Sequence, residues 1–316
     1  MTRPAEGDLV FNVVWTGTVF TYLRHFVNSQ MAHCGARYRY VVNGCPPEQV
    51  ALMQADVAAR PDRVVEVLDV SDTMVAHGVA LDRVRAQRDD GPWFCLIDPD
   101  IKANAPFLPP FADLLAEGAA AVTSGKEVWS DDNLVPVDHP GVAGEFFFDR
   151  NGFVFGSPHL AIYDRAALDD TTARWGVGLG SAGPDLSDAA RARMAELGHE
   201  YLVYDTGKIV NALLQADGHR LVHRDLPQLV HIGGLSHYLS PTEWVTLDDG
   251  EQAPEWVRWG LTDRYHVSRF TALTLRRLFE GGEVPAIPEG VEPAMAAKLA
   301  VVQQEMADLF ATYVTR

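Results

Sequence analysis

The chain has 316 residues, a hydrophobic content of 47% and a formal net charge of −17. That composition supports a packed core and excludes a disordered protein; the length allows one large domain with an appendage, or two modest ones. The acidity argues against nucleic acid and anionic membrane surfaces as partners, so an anionic ligand would need a local positive centre.

The first residues that read as an element are 10–15, a strand rich in β-branched and aromatic side chains. It stops at Thr16-Gly17-Thr18, where a helical pattern begins and runs through Val19, Leu23, Phe26 and Met31. Residues 37–42 alternate and supply a second strand, and Pro46-Pro47-Glu48 opens a second helix, proline being tolerated in the first turn. Residues 64–70 make a third strand, 74–87 a third helix and 93–97 a fourth strand. Four strands alternating with three helices predict a parallel, doubly wound α/β sheet. Such sheets bind ligands outside the carboxyl ends of their strands.

From about 106 to 152 the pattern loosens, and 125–149 reads as a long loop or short antiparallel excursion over a site. Residues 153–162 return as a strand interrupted by Gly156-Ser157-Pro158-His159; helices are expected at 188–197 and 207–216, and a late strand at 226–232. Beyond Pro254 the chain turns helical. Val291, Met295, Leu299, Val302, Met306, Leu309 and Tyr313 form one apolar stripe, read first as packing on the main body and second as a homodimer seam.

The fourth strand, Trp93 to Ile97, ends in Asp98-Pro99-Asp100. Two carboxylates at a strand edge, stiffened by the proline between them, suit a hard divalent cation held against a phosphate-bearing substrate. Three cysteines (Cys34, Cys45, Cys95) at no ligand-like spacing read as reduced thiols. The N-terminal residues lack the apolar stretch of a signal peptide and no run reaches membrane-spanning length, so a cytoplasmic protein is expected. Four lysines among 26 basic residues, with abundant alanine, suggest a GC-rich bacterial genome.

The first strand with its Thr-Gly-Thr turn, the His77-Gly78 helix and the Asp-Pro-Asp strand end together resemble GT-A-fold glycosyltransferases, particularly family-2-like ones, over roughly residues 8 to 237. The resemblance implies an α/β, Rossmann-like mixed sheet flanked by helices. It divides the chain into a catalytic domain, 1–250, with a nucleotide-binding half (1–105) and an acceptor half (106–250), followed by a helical C-terminal extension, 251–316. It also implies that Asp98 approaches the donor ribose or bridges through water, and that Asp98 and Asp100 hold Mn²⁺ or Mg²⁺ with a late histidine, His231. His237 is the fallback ligand. Gly233 and Gly234 would let backbone amides approach the diphosphate, and Gly156 would lie in the loop facing donor sugar and acceptor. Thr16, Gly17 and Thr18 would hold base and ribose, with Asp69 or Asp72 accepting from the base.

Asp205 matches the acidic residue that would deprotonate or position the acceptor, although Tyr204 stands where a glutamate is often seen; the other reading is an N-cap. Glu145, Asp149 and Asp132 are competing bases. Trp129 and Phe146-Phe147-Phe148 are candidates for a stacking platform or for core. Arg83, Arg88, Arg150 and Arg224 are phosphate candidates whose plainer reading is a solvated surface.

The function these residues imply is transfer of a hexosyl unit from a nucleoside-diphosphate sugar, UDP-sugar by default, to a hydroxyl or amine of a small molecule or glycan, with inversion preferred. The alternatives are a sugar-nucleotide nucleotidyltransferase, which would need a basic residue after a glycine-rich first loop, and a non-catalytic nucleotide-sugar-binding domain.

Overall fold

The computed structural model describes residues 3–130, 147–148, 153–157, 159–199, 201, 203–240, 244–246, 252–254 and 262–314. The first hundred residues alternate as their hydrophobic pattern predicts. β1 (Val10–Thr16) leads through α1 (Phe20–Ala32) to β2 (Arg37–Asn43), α2 (Pro47–Ala59) to β3 (Val64–Ser71), and α3 (His77–Gln87) to β4 (Trp93–Ile97). These strands pair in parallel in the order β3-β2-β1-β4. α3 begins three residues later than its sequence suggests. Asn43, at the end of β2, accepts from the Val75 amide and donates to its carbonyl, both at 2.9 Å, which holds that segment extended.

The second half departs further from the sequence reading. After β4 come β5 (Ile101–Ala103), α4 (Leu108–Ala116), β6 (Ala121–Ser124), β7 (Leu160–Asp164) and α5 (Arg165–Trp175). The prolines of Leu108-Pro109-Pro110 look like breakers, yet they occupy the first helical turn, where no amide partner is lost, while Phe111, Ala112 and Leu115 are buried. In the stretch 153–162 only the end becomes a strand; Gly156 has φ +70°, and Val154 makes an isolated bridge to Phe148. Then follow α6 (Asp188–Glu196), α7 (Lys208–Ala216), β8 (Leu221–His223), β9 (Leu229–His231), α8 (Leu235–Leu239), the hairpin strands β10 (Trp244–Thr246) and β11 (Gln252–Pro254), α9 (Thr262–Glu280) and α10 (Pro293–Tyr313).

β7 inserts antiparallel between β4 and β6, and β8 joins β6 in parallel, giving a mixed seven-stranded sheet, β3-β2-β1-β4-β7-β6-β8. A short ribbon of β5 and β9 stands apart from it. Alternation along β1 sorts the two faces: Phe11, Val13 and Trp15 join the apolar cluster that contains α1, α9 and α10, while Val14 joins the cluster that contains α3, α5 and α7. The α10 stripe is buried from Met295 to Leu309 within the first cluster, against α9 and α1. That closes inside the chain the face on which a homodimer seam was the second reading. Among the described residues no helix is long and apolar enough to cross a membrane, and all three cysteines are free.

Candidate metal and nucleotide site

β4, the central strand, carries the chain to the carboxyl end of the sheet, where Asp98-Pro99-Asp100 turns it into β5. The Asp98 amide donates to the His159 carbonyl at 2.7 Å, which extends the β4–β7 register and brings His159 beside the turn. β5 then pairs antiparallel with β9, with Ile101 opposite His231, and the Ile232 amide donates to the Asp100 carbonyl at 3.2 Å. An isolated parallel bridge sets Glu127 against His231. Four segments distant in sequence therefore bring Asp98, Asp100, Glu127, His159 and His231 together.

His231 Nε2 lies 3.3 Å from Asp100 Oδ1 and 4.0 Å from Asp98 Oδ2. Its other nitrogen, Nδ1, lies 2.8 Å from the Gly125 carbonyl oxygen. A carbonyl only accepts, so Nδ1 carries the proton and a neutral ring turns the bare lone pair of Nε2 toward two carboxylates. The ring is 1% exposed, and Nε2 makes no hydrogen bond within the described structure. Three acceptors converging in a buried space repel one another unless a cation joins them, either a second proton on the ring or a metal ion. The oxygen–oxygen–nitrogen donor set, with a backbone carbonyl orienting the imidazole, fits Mn²⁺ or Mg²⁺. Burial pushes the Asp100 carboxyl up, but a cation at Nε2, such as the second proton on His231, outweighs it and holds it below the ordinary range.

Asp98, His159 and His231 also each offer one ligand atom within 4.8 Å of the others. His159, however, is committed elsewhere: Nδ1 lies 2.9 Å from Asp98 Oδ2 and Nε2 2.7 Å from Glu127 Oε1. Burial lowers the proton affinity of that ring, but the Glu127 charge and the Asp98 hydrogen bond prevail and raise its pKa to about 10. His159 is thus an imidazolium at neutral pH, strung between two carboxylates. It fixes one oxygen of Asp98 and leaves Oδ1, 3.7 Å from His77 Nε2, facing the cleft. Glu127, buried to 3% exposure, is kept below its ordinary value because His159 outweighs the effect of burial.

These groups line a cleft of about 330 Å³ at the carboxyl ends of β1 and β4. Thr16, Asn43 and the 74–77 segment form one wall; Asp205 and Thr206 enter from another side. Asp205 does not cap α7, whose N-cap is Gly207 in the left-handed conformation without a side-chain cap. Its carboxylate instead accepts from the Thr206 amide at 2.7 Å. Gly233 and Gly234, both on the lining, have φ near +75°. A Cβ on Gly233 would lie 2.8 Å from Trp129 Nε1, and one on Gly234 2.8 Å from Arg264 Nε. Only glycine fits either place.

Other sequence candidates are placed away from the cleft. Gly17 and Thr18 close on α8: the Thr18 amide donates to Ser240 Oγ at 3.1 Å, and a Cβ on Gly17 would collide with that side chain. Asp69 is exposed and accepts from the Ser71 amide. Gly156 packs on Thr123 and Asn211, and its carbonyl accepts from the buried Lys208 at 2.6 Å. Phe147 is core; its ring centre lies 4.6 Å from that of His223. Arg83 donates to the Val70 carbonyl and Arg88 pairs with Glu66, while Arg224 is exposed. Glu145, Asp132, Phe146, Asp149 and Arg150 lie outside the described residues. His237 lines the cleft; burial and the Arg264 charge lower its pKa to about 4. Glu127 and Arg264 are absent from the sequence reading. Nothing local in the sequence marks either: Glu127 follows Lys126 as an ordinary charged pair would.

No family model and no curated protein matches the chain. Solved structures do. TarS 1–349 from S. aureus is 14% identical, over 98% of this chain and 74% of its own, with a TM-score of 0.45. The mannosyltransferase PcManGT from Pyrobaculum calidifontis, in complex with GDP-Man and Mn²⁺, is 13% identical over 97% and 75%, with a TM-score of 0.42. The galactosyltransferase LgtC, in complex with donor and acceptor sugar analogs, is 12% identical over 89% and 98%, with a TM-score of 0.46. At these identities and TM-scores, what this site does has to be read from its own residues.

Proposed function

We propose that the chain is a metal-dependent glycosyltransferase that uses a nucleoside-diphosphate sugar, with a uridine donor as the default, and a hydroxyl or amine acceptor. The observation that carries this reading is the buried Nε2 of His231 facing the carboxylates of Asp98 and Asp100 at the mouth of a cleft in an α/β sheet. Asp98, Asp100 and His231 would hold the ion, whose chemistry is to offset the charge that develops on a departing diphosphate.

The rest falls to side chains of the chain itself. The Glu127–His159 pair clamps Asp98 Oδ2, so that Asp98 offers its other oxygen to the ion or the ribose. Thr16, Asn43 and Val75 form the wall on which the base lies, stiffened by the paired Asn43–Val75 hydrogen bonds. Asp205, released from capping and open to the cleft, takes the acceptor proton as the acceptor oxygen or nitrogen attacks the anomeric carbon from the face opposite the diphosphate. One base in that position corresponds to inversion.

The test is release of nucleoside diphosphate from UDP-, GDP- and dTDP-sugars with Mn²⁺, Mg²⁺ or a chelator, water serving as a slow acceptor. Metal-dependent release from one donor class is expected. Release that is indifferent to chelation contradicts the metal assignment, and no release or binding with any donor contradicts the function.

A further inference from the structure

We infer that Gln30 of α1 is a positioning residue for the metal site: its side-chain amide spans the Asp98-Pro99-Asp100 turn and sets the spacing of the two carboxylates. This rests on the metal reading above and extends it to a helix that contributes no ligand.

The turn needs a brace. Contacts on the cleft side tie each aspartate to a different segment: Asp98 to His159, and Asp100 to the amides of Ile232 and Leu235. The turn's own closing bond, from the Ile101 amide to the Asp98 carbonyl, is long at 3.4 Å. Pro99 fixes one φ and brings no donor. The strand that follows, β5, leaves the main sheet for a two-stranded ribbon with β9, so the sheet does not hold it. A hard cation binds more tightly to oxygens already held at their places than to oxygens it must order on arrival.

Gln30 supplies that brace. Its side chain is fully buried, and Nε2 donates to the Asp98 carbonyl at 3.1 Å and to the Ile101 carbonyl at 2.7 Å. The two acceptors bracket the turn, so one planar group fixes the distance across it. The other end of the amide gains nothing: Oε1 is buried with no hydrogen-bond partner among the described residues. An orphaned acceptor is a cost that methionine, of similar volume, would avoid, so what the amide contributes lies on the Nε2 side. Beyond the turn, β5 has anchors of its own. The Ala103 amide donates to Ser29 Oγ at 3.0 Å, Lys102 pairs with Glu305 of α10, and the Asn104 amide donates to the Gln228 carbonyl at 2.9 Å. Loss of the Gln30 amide therefore loosens the turn and leaves β5 in place.

Mn²⁺ binding to the full-length wild type, Gln30→Met and Ser29→Ala is measured by electron paramagnetic resonance, well below each melting temperature, and the metal-free melting temperatures are recorded alongside. Gln30→Met removes both donors at similar volume and is expected to bind Mn²⁺ about tenfold more weakly, as for partners that hold metal ligands in place. Ser29→Ala cuts the neighbouring tie between the same helix and β5. It is expected to melt earlier yet keep Mn²⁺ affinity within about twofold of wild type, because Ser29 does not touch the turn. A loss below about threefold in Gln30→Met overturns the inference. So does an equal loss in Ser29→Ala, which would make the effect a general loosening of α1 against β5. Should the methionine variant not fold, Gln30→Glu decides: it keeps the shape but cannot donate to both carbonyls, so weaker Mn²⁺ binding by about threefold or more is expected, and a smaller loss overturns the assignment. A wild type that binds no Mn²⁺ overturns the metal reading, a different failure.

Discussion

Replacing Asp100 by asparagine probes the metal assignment with little disturbance of the fold. The amide keeps an oxygen that can accept from the Leu235 amide, now at 3.3 Å, but removes the charge 3.3 Å from His231 Nε2. In metal-free protein the loss is that of one buried, charge-assisted contact, about 1–3 kcal/mol. In the wild type, Mn²⁺ at one hundred times its dissociation constant adds about 2.7 kcal/mol of stability by mass action. At roughly 2 °C per kcal/mol for a chain of this size, the melting temperature should rise by about 5 °C. Asp100→Asn should show a rise below about 1 °C at the same Mn²⁺ concentration, because an amide oxygen is a far weaker ligand for a hard cation. Differential scanning calorimetry with and without Mn²⁺ measures both quantities. An asparagine variant with the full wild-type rise would refute the reasoning, since the ion would then be held elsewhere.

Asp205→Asn should lower kcat by about 10²–10⁴-fold with donor KM nearly unchanged; a fall in melting temperature with kcat retained would instead make Asp205 structural. Glu127→Gln removes the charge that most supports the His159 imidazolium, so the ring should titrate well below its present value of about 10. Histidine ¹⁵N resonances in metal-free protein report this, and a ring still protonated at pH 9 contradicts the clamp. Away from the site, burial and the neighbouring Arg24 lower the pKa of His25 to about 4, against the support of the Tyr313 carbonyl. The unfolded chain binds this proton from about pH 6.5 downward. The folded chain does so only near 4, so stability falls as pH drops through that window and levels off below it. Allowing for screening, the group accounts for about 1–2 kcal/mol. His25→Gln should flatten that part of the melting-temperature profile, and an unchanged slope counts against the assignment.

The first hundred residues were legible because their strands are short apolar runs ended by polar turns, and α1 carries a regular apolar face. The paired carboxylates were legible for the same reason, since Asp98 and Asp100 follow the fourth such run. His231 was singled out because the resemblance implies a late histidine after a strand, and the sequence has one there, before a glycine pair. The chain beyond residue 105 was harder. β5, β8 and β9 are three residues each, too short for alternation to register, and the two prolines of α4 imitate a break. Asp205 could not be told from a cap, because an aspartate three residues before a helix serves either role; the left-handed Gly207 at the N-cap excludes the cap. Glu127 and Arg264 could not be read at all. Each becomes part of the cleft through long-range packing, Glu127 by a bridge to His231 and Arg264 through the docking of α9 on the 233–234 turn.

The most direct measurement is diffraction from crystals grown with Mn²⁺ and a nucleoside diphosphate, collected at the manganese absorption edge. An anomalous peak bounded by Asp98, Asp100 and His231 Nε2, with the diphosphate on its open side, is the expected result. A peak at another place, or a diphosphate seated with no ion between these three side chains, would contradict the account.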